Sequence, residues 1–366
     1  MQPQSYYRCW VEIDLDALRR NVAAIRQRIG AGKKILAVVK ADAYGHGLAP
    51  IAGTLMQSGV DGFAVATLSE ALTLRHLGGP GWPILLLGAA FPFELDKLVE
   101  QNITPTVCSL DAARQLNAVA AVYDRRVSIH IEIDTGMGRV GIWHEDAPAH
   151  LRAIAALPHL QTVGIYTHFP SADENLTVTR QELELFLRVA DATLLRHAAN
   201  SAALVNLPES HLDAVRPGLA LYGIAAGLHP VLAFKSRVAF VKDVAAGRTI
   251  SYGQTFTAPR PMKIATIAAG YADGFSRHLS NSAQVLIAGA RCPVVGRVTM
   301  DQVMVDITHV SAAQSGDEVV LIGCQGREEI TAAEMAAWAG TIAWEVLCNI
   351  TKSDRVPRLY RGASAA

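Results

Sequence analysis

Between residues 35 and 216 the chain repeats one pattern: a short strand-like run, then a stretch with helical spacing. The strand-like runs are Ile35–Lys40, Gly62–Ala66, Ile84–Gly88, Ile103–Val107, Val127–Ile133 and Thr162–Thr167, with two shorter ones around His197–Ser201 and Asp213–Arg216. Amphipathic helical stretches fall near 48–57, 69–77, 94–101, 111–122, 146–156 and 178–195. Several runs are apolar throughout, as strands buried on both faces of a parallel sheet must be. Parallel neighbours need a crossover, and a helix is the usual one. Eight such strands predict an α/β chain with a (β/α)8 TIM-like barrel over residues 9–236. Ahead of it, Asp14 reads as a helix cap before Leu15, Leu18, Val22 and Ile25 at helical spacing.

From about Arg237 the helical period disappears. Runs at Val238–Val241, Lys263–Ala268, Val285–Ile287, Val303–Ile307 and Glu318–Ile322 alternate with Gly and Pro turns. This predicts a second, mostly β domain over 237–366, with one helix near Thr331–Trp338 and a frayed tail at Gly362–Ala366. The 33 basic and 33 acidic residues cancel, which gives no reason to expect a nucleic acid or a charged membrane as partner. Five scattered cysteines match neither a disulfide framework nor a metal-ligand spacing. No signal core or membrane-length apolar run is present, so the expectation is a soluble, cytoplasmic protein acting on a small molecule.

The first barrel strand, Ile35-Leu-Ala-Val-Val39, runs into Lys40-Ala-Asp-Ala-Tyr44-Gly-His-Gly47. A lysine at the end of a buried strand either extends to water or sits in a pocket. In a pocket, desolvation favours the neutral amine that Schiff-base chemistry requires. Barrel enzymes place reacting groups where strands end. The other strand ends read Asp134-Thr-Gly-Met-Gly-Arg139, Tyr166-Thr-His168, Asn200-Ser201 and Arg216-Pro-Gly218-Leu219. The β domain adds Ser251-Tyr252-Gly, Gly270-Tyr271-Ala-Asp-Gly, Gly296-Arg297-Val-Thr-Met300-Asp301-Gln and Arg355-Val-Pro-Arg358.

Taken in order, this set resembles the alanine racemases, fold-type III enzymes that use pyridoxal 5'-phosphate. The resemblance implies that Lys40 holds the cofactor and moves a proton on one face of the substrate. Tyr252 would serve the other face, with His168 and Arg216 near its phenol. A phenol with an ordinary pKa near 10 needs such neighbours to act as a base. Arg216 would face the pyridine nitrogen and, as an obligate donor, keep it unprotonated, favouring racemisation over transamination. Tyr44, Asn200, Ser201 and the amides of Gly218 and Leu219 would complete the cofactor site, with phosphate falling to Ser201, the two amides and Tyr44. Arg139 and the Met300 amide would hold the substrate carboxylate, with Asp301 in support. Asp173, Tyr271, Arg277 and Arg297 would line the entrance, and His46, His130 and His197 would be structural. The implied assembly is a homodimer in which Tyr252 and Met300 reach the partner's barrel. The D-alanine concerned is a peptidoglycan precursor, made or broken down.

Two positions depart from the family pattern. Many relatives carry a carbamylated lysine seven residues before the substrate arginine, where this chain has Glu132. Strand alternation puts His130, Glu132 and Asp134 on one face, so Glu132 can supply the negative charge itself. Relatives also often have a tyrosine just before the Arg355 segment, where this chain reads Asn349-Ile-Thr-Lys-Ser-Asp354. Its absence leaves serine or broader-specificity racemisation as an alternative. A barrel-type amino acid decarboxylase would want an acid at Arg216, and a noncatalytic cofactor-binding barrel would lack residues 237–366.

Overall fold

A computed structural model describes residues 6–310, 312–352 and 354–362. The frayed tail expected at Gly362–Ala366 lies, apart from Gly362, outside the described residues. The chain packs as two compact units. One comprises Leu18–Ala43 and Leu48–His229; the other comprises the chain up to Ala17, Tyr44–Gly47 and Pro230 onwards.

The first unit is the closed parallel barrel. Its strands are Lys34–Val38, Gly62–Val65, Ile84–Ala89, Thr104–Val107, Val127–Asp134, Leu160–Tyr166, Leu195–His197 and Ala214–Val215. Each pairs with the next, and Ala214 and Val215 pair with Lys34 and Ile35 to close the ring. Ile35, Ala37 and Val39 are fully buried, and so are Phe63, Ala64 and Val65, because helices cover the outer face while the inner face fills the barrel. Helices at Leu48–Met56, Leu68–Gly78, Leu95–Glu100, Leu110–Val122, Ala147–Ala155 and Leu176–Val189 follow the first six strands.

The last two strands are two and three residues long, and here the sequence reading shifts. Ser201 does not end a strand; it opens the helix Ser201–Asn206, capped by Asn200 Oδ1 on the Ala203 amide. No helix follows Ala214–Val215 before the barrel unit ends at His229. The helix Leu15–Ile29 takes that place: Asn21 donates to the carbonyls of Leu221 and His229 and accepts from the His229 amide. Asp14 caps this helix through the Ala17 amide, as expected.

The second unit is built on the strand Leu232–Val244, whose near-alternating burial marks a sheet with one wetter face. It pairs antiparallel with Cys9–Asp14, Glu318–Gln325 and Met262–Ile267. The boundary expected between 236 and 237 therefore falls inside a strand, and the amino-terminal strand belongs to the carboxy-terminal unit. That pairing spans more than 200 positions, which no local pattern records. Arg358–Arg361 adds a further strand, parallel to Cys9–Asp14. Two helices pack on this unit, Ala332–Ala339 and Ala343–Ile350, where one was expected. Among the described residues no helix is long and apolar enough to cross a membrane.

Candidate active site

The barrel strand ends bring Lys40, Arg139, His168, Asn200, Ser201, Arg216, Gly218 and Leu219 to the carboxyl-terminal face, where barrels keep their reacting groups. The grouping of the charged members shows in His168. Burial, then the positive charges of Arg216, Arg139 and Lys40, press its imidazole down to about 3. His168 is therefore neutral at working pH and can offer a hydrogen bond, not a positive charge.

Lys40 follows the first strand by two residues, and the turn after it was not legible beforehand. Ala41, Asp42, Ala43 and Tyr44 all take left-handed helical dihedrals, with φ between 53° and 55°. For residues with a Cβ this costs roughly 1–2 kcal/mol each, so surrounding bonds must hold it. Glu70 Oε1 accepts from the Ala41 amide at 2.6 Å while its other oxygen takes the Ala66 and Thr67 amides. Asp42 accepts from the Leu48 amide, and the Ala43 amide returns to the Val39 carbonyl. In the second unit, Arg358 donates to the Gly45 carbonyl and Tyr360 to the His46 carbonyl. Gly45, at φ 82°, has no room for a Cβ beside the Leu347 carbonyl and Thr351 Oγ1. Thr67-x-x-Glu70 is readable as a capping box; its third bond, to Ala41, is a tertiary fact. Burial pushes the Tyr44 phenol up, so it stays protonated and able to donate.

Arg216 is buried and spends its guanidinium on fixed partners. One nitrogen donates to His197 Nδ1 at 2.7 Å and the His197 carbonyl at 2.9 Å; the other reaches the carbonyls of Thr167 and Ala198. A guanidinium only donates, so His197 Nδ1 must accept, which leaves its proton on Nε2. That nitrogen lies 2.8 Å from His130 Nδ1 and donates to it. Burial presses both imidazoles down, His197 well below its ordinary range and His130 to about 4, and Arg216 adds to the effect. His130 and His197 thus support Arg216, in keeping with the structural role expected for them. Tyr166, fully buried, stacks on His197 with ring centres 4.8 Å apart and lies under the guanidinium of Arg216.

Glu132 sits on the inner face of its strand and accepts from Tyr166 Oη at 2.8 Å. Burial pushes this carboxyl up; the Tyr166 bond and the charges of Arg216 and Arg139 oppose the push. Among the described residues no hydrogen bond or ion pair joins Glu132 to Arg139, so its influence on that arginine acts through space. Arg139 itself is exposed, on a turn capped by Asp134, which accepts from the Gly136 and Gly138 amides.

Ser201 Oγ accepts from the amides of Gly218 and Ala220, both at 3.0 Å. With its lone pairs engaged, its own proton is left to donate outward. The Leu219 amide has no partner among the described residues. A hydroxyl and an amide, both free to donate, suit a phosphate oxygen, so the residues present fit the expected cofactor.

In the second unit three neighbouring loops carry the remaining candidates. Tyr252 is 70% exposed, Met300 52% and Tyr271 43%. Gly253 packs against the Arg297 guanidinium, and the amides of Tyr271 and Ala272 bond to the carbonyls of Thr299 and Met300. Arg355 holds Asp301 at 2.6 Å and Asp273 at 3.3 Å. Tyr271 and Arg277 line a cavity of about 540 Å³ with Asn349 and Lys352, whereas Arg297 lies outside its lining. Asp173 stands in an exposed turn of the barrel unit, with no bond among the described residues.

Comparison with known proteins bears on the whole chain. The alanine racemase N-terminal domain matches residues 13–226 and the alanine racemase C-terminal domain residues 231–360. Alanine racemase of Desulforamulus reducens is 43% identical over 96% of this chain and 99% of its own. The crystal structure of alanine racemase from D-cycloserine-producing Streptomyces lavendulae superposes with a TM-score of 0.90 at 36% identity, covering 98% of both chains. The Bartonella henselae alanine racemase, solved with covalently bound pyridoxal phosphate, gives 0.89 at 28% identity over 97% and 99%. With both of its domains matched in sequence order and relatives of this identity covering nearly its whole length, the chain belongs to the alanine racemase family.

Proposed function

We propose that this chain interconverts L-alanine and D-alanine with pyridoxal 5'-phosphate as cofactor. The observation that carries the reading is the convergence of Lys40, Arg139 and Arg216 on His168 at the strand ends, in a chain of this family. Lys40, Tyr44, Asn200, Ser201, Arg216 and the Leu219 amide would hold the cofactor; the Gly218 amide, expected to share that task, is instead spent on Ser201 Oγ and sets its hydroxyl. Bound there, it supplies the electron sink that lets a weakly acidic Cα–H ionise near neutral pH. Inversion then needs a proton removed from one face and returned to the other. Lys40 Nζ serves one face and Tyr252 Oη the other, each able to take or give. Arg139 and the Met300 amide hold the carboxylate, a task suited to an arginine fork, with Asp301 fixed behind Met300 by Arg355. Arg216, locked by carbonyls and His197, cannot release its proton or swing aside.

The working unit is a homodimer. Tyr252, Tyr271 and Met300 are large side chains left uncovered on adjoining loops, as a surface awaiting a second copy would be. Tyr252 and Met300 of the partner subunit would complete each barrel site, with Asp173, Tyr271, Arg277 and Arg297 about the entrance. All five cysteines stand as thiols, which suits the cytoplasm.

Chiral chromatography of purified protein with a panel of L-amino acids tests the activity, and alanine is expected to racemise fastest. Borohydride reduction followed by peptide mapping should place the pyridoxyl group on Lys40; recovery on another lysine would sink the scheme. Serine stays as the second reading, because no tyrosine precedes Arg355, and serine turnover rivalling alanine would favour it.

Glu132 is read as the negative charge that orients Arg139. Glu132→Gln keeps an acceptor for Tyr166 and removes only the charge. KM for alanine should then rise by about 3–10-fold, the loss of a through-space attraction worth roughly 1 kcal/mol. Bicarbonate removal should leave the wild type unchanged. An unaltered KM in the variant would take Glu132 out of the account.

A further inference from the structure

Beside the turn that carries Arg139 lies a carboxyl group with no part in the chemistry above. Glu182 stands on the helix Leu176–Val189, is 5% exposed, and its carboxyl makes no hydrogen bond among the described residues. Its Oε2 is buried without a partner. Its Oε1 lies so close to Gly136 that a Cβ there would collide with it. The turn already rests on one carboxylate, since Asp134 caps the Gly136 and Gly138 amides. Two acids therefore meet at one turn, one fully bonded and the other not. A buried polar group left unpaired calls for an explanation.

We infer that Glu182 is a positioning residue for carboxylate binding, holding the Asp134–Arg139 turn in place while it carries its proton and displacing that turn when it ionises. Uncharged, its carboxyl fits under Gly136 at little electrostatic cost. Charged, it sits unpaired in a dry site and faces the Asp134 carboxylate. The easiest relief is movement of the Gly136–Gly138 turn, which takes Arg139 with it. Burial first, and Asp134 second, raise the Glu182 carboxyl from 4.5 to about 7. Among the described residues Asp134 is the one charged group acting on it; its own helix turns Thr179, Leu183 and Phe186 inward on the same face.

The sign follows from proton counting. Between 4.5 and about 7 the folded chain holds a proton that the unfolded chain has lost. Stability from this group therefore falls as pH rises through that window and is level above it. The Arg139 turn should loosen as pH passes about 7.

This inference rests on Arg139 as the carboxylate-binding arginine, and the test separates the two claims. KM and kcat for alanine are measured on cofactor-loaded wild type and Glu182→Gln between about pH 5.5 and 9. The ratio of wild-type to variant KM should be near one at low pH and climb about tenfold above neutrality, part of one charge-assisted bond, while the kcat ratio stays level. Any ionisation common to both proteins cancels in the ratio. Glu182→Met, unbranched and uncharged, should give the same climb and guards against poor folding of the first variant. A flat KM ratio with both variants overturns the inference. So does a pH-dependent gain in Tm for the variants without any change in KM, which would make Glu182 structural only. Arg139→Lys is measured alongside: if it leaves KM unchanged, the Arg139 reading falls and the inference with it.

Discussion

Mixing Lys40→Ala protein with Tyr252→Phe protein should restore activity that neither has alone. Each homodimer lacks one of the two proton-transfer groups at both sites and should be nearly inactive. After subunit exchange, a mixed dimer combines both lesions at one site and neither at the other. Random exchange of equal amounts makes about half the dimers mixed, so activity should recover towards about a quarter of the wild-type sites. The expectation depends on Tyr252 acting in the partner's barrel, a reading supported by its 70% exposure on an uncovered loop. With exchange verified by tagged subunits, a mixture that stays inactive would show that the two residues do not meet across an interface.

Replacing Arg216 should damage both folding and turnover. Its guanidinium satisfies the carbonyls of Thr167, His197 and Ala198 and fixes the tautomer of His197. Arg216→Met leaves those acceptors buried and unpaired and removes a positive charge that acts on Glu132. The expected loss is roughly 3–5 kcal/mol of unfolding free energy, read from urea denaturation of the variant against wild type. Turnover should fall by at least about 100-fold, since the group no longer has a fixed place at the site. Arg216→Lys should not rescue either measure, because one ammonium cannot reproduce a planar fork with several fixed donors. Near wild-type stability and activity in the lysine variant would refute this account of Arg216.

The barrel was legible because its evidence is local. A strand such as Ile35–Val39, apolar at every position, has few alternatives to burial on both faces, and helical spacing after each strand supplies the crossover. Strand ends then marked Lys40, Arg139, His168 and Arg216 without any coordinates, since a barrel delivers all its strand ends to one face. The shortest strands read least clearly: two or three residues carry no period, and Ser201, expected at a strand end, starts a helix.

Tertiary structure decided what depends on partners far along the chain. Cys9–Asp14 looks like the start of the barrel domain, yet its hydrogen bonds go to Leu232–Val244. Nothing in Ala41–Tyr44 announces four left-handed residues; their dihedrals persist because Glu70, Val39 and Leu48 hold them. Glu132 was readable as the charge near Arg139, but its bond to Tyr166 and the His130–His197–Arg216 chain required the barrel to close first. Glu182 lies in the amphipathic stretch 178–195 with nothing local to single it out, and only packing against Gly136 makes it a buried, unpaired acid. Periodicity and turn chemistry act over a few residues and so can be read from the sequence. Hydrogen-bond partners and desolvation are set by groups that only folding brings together.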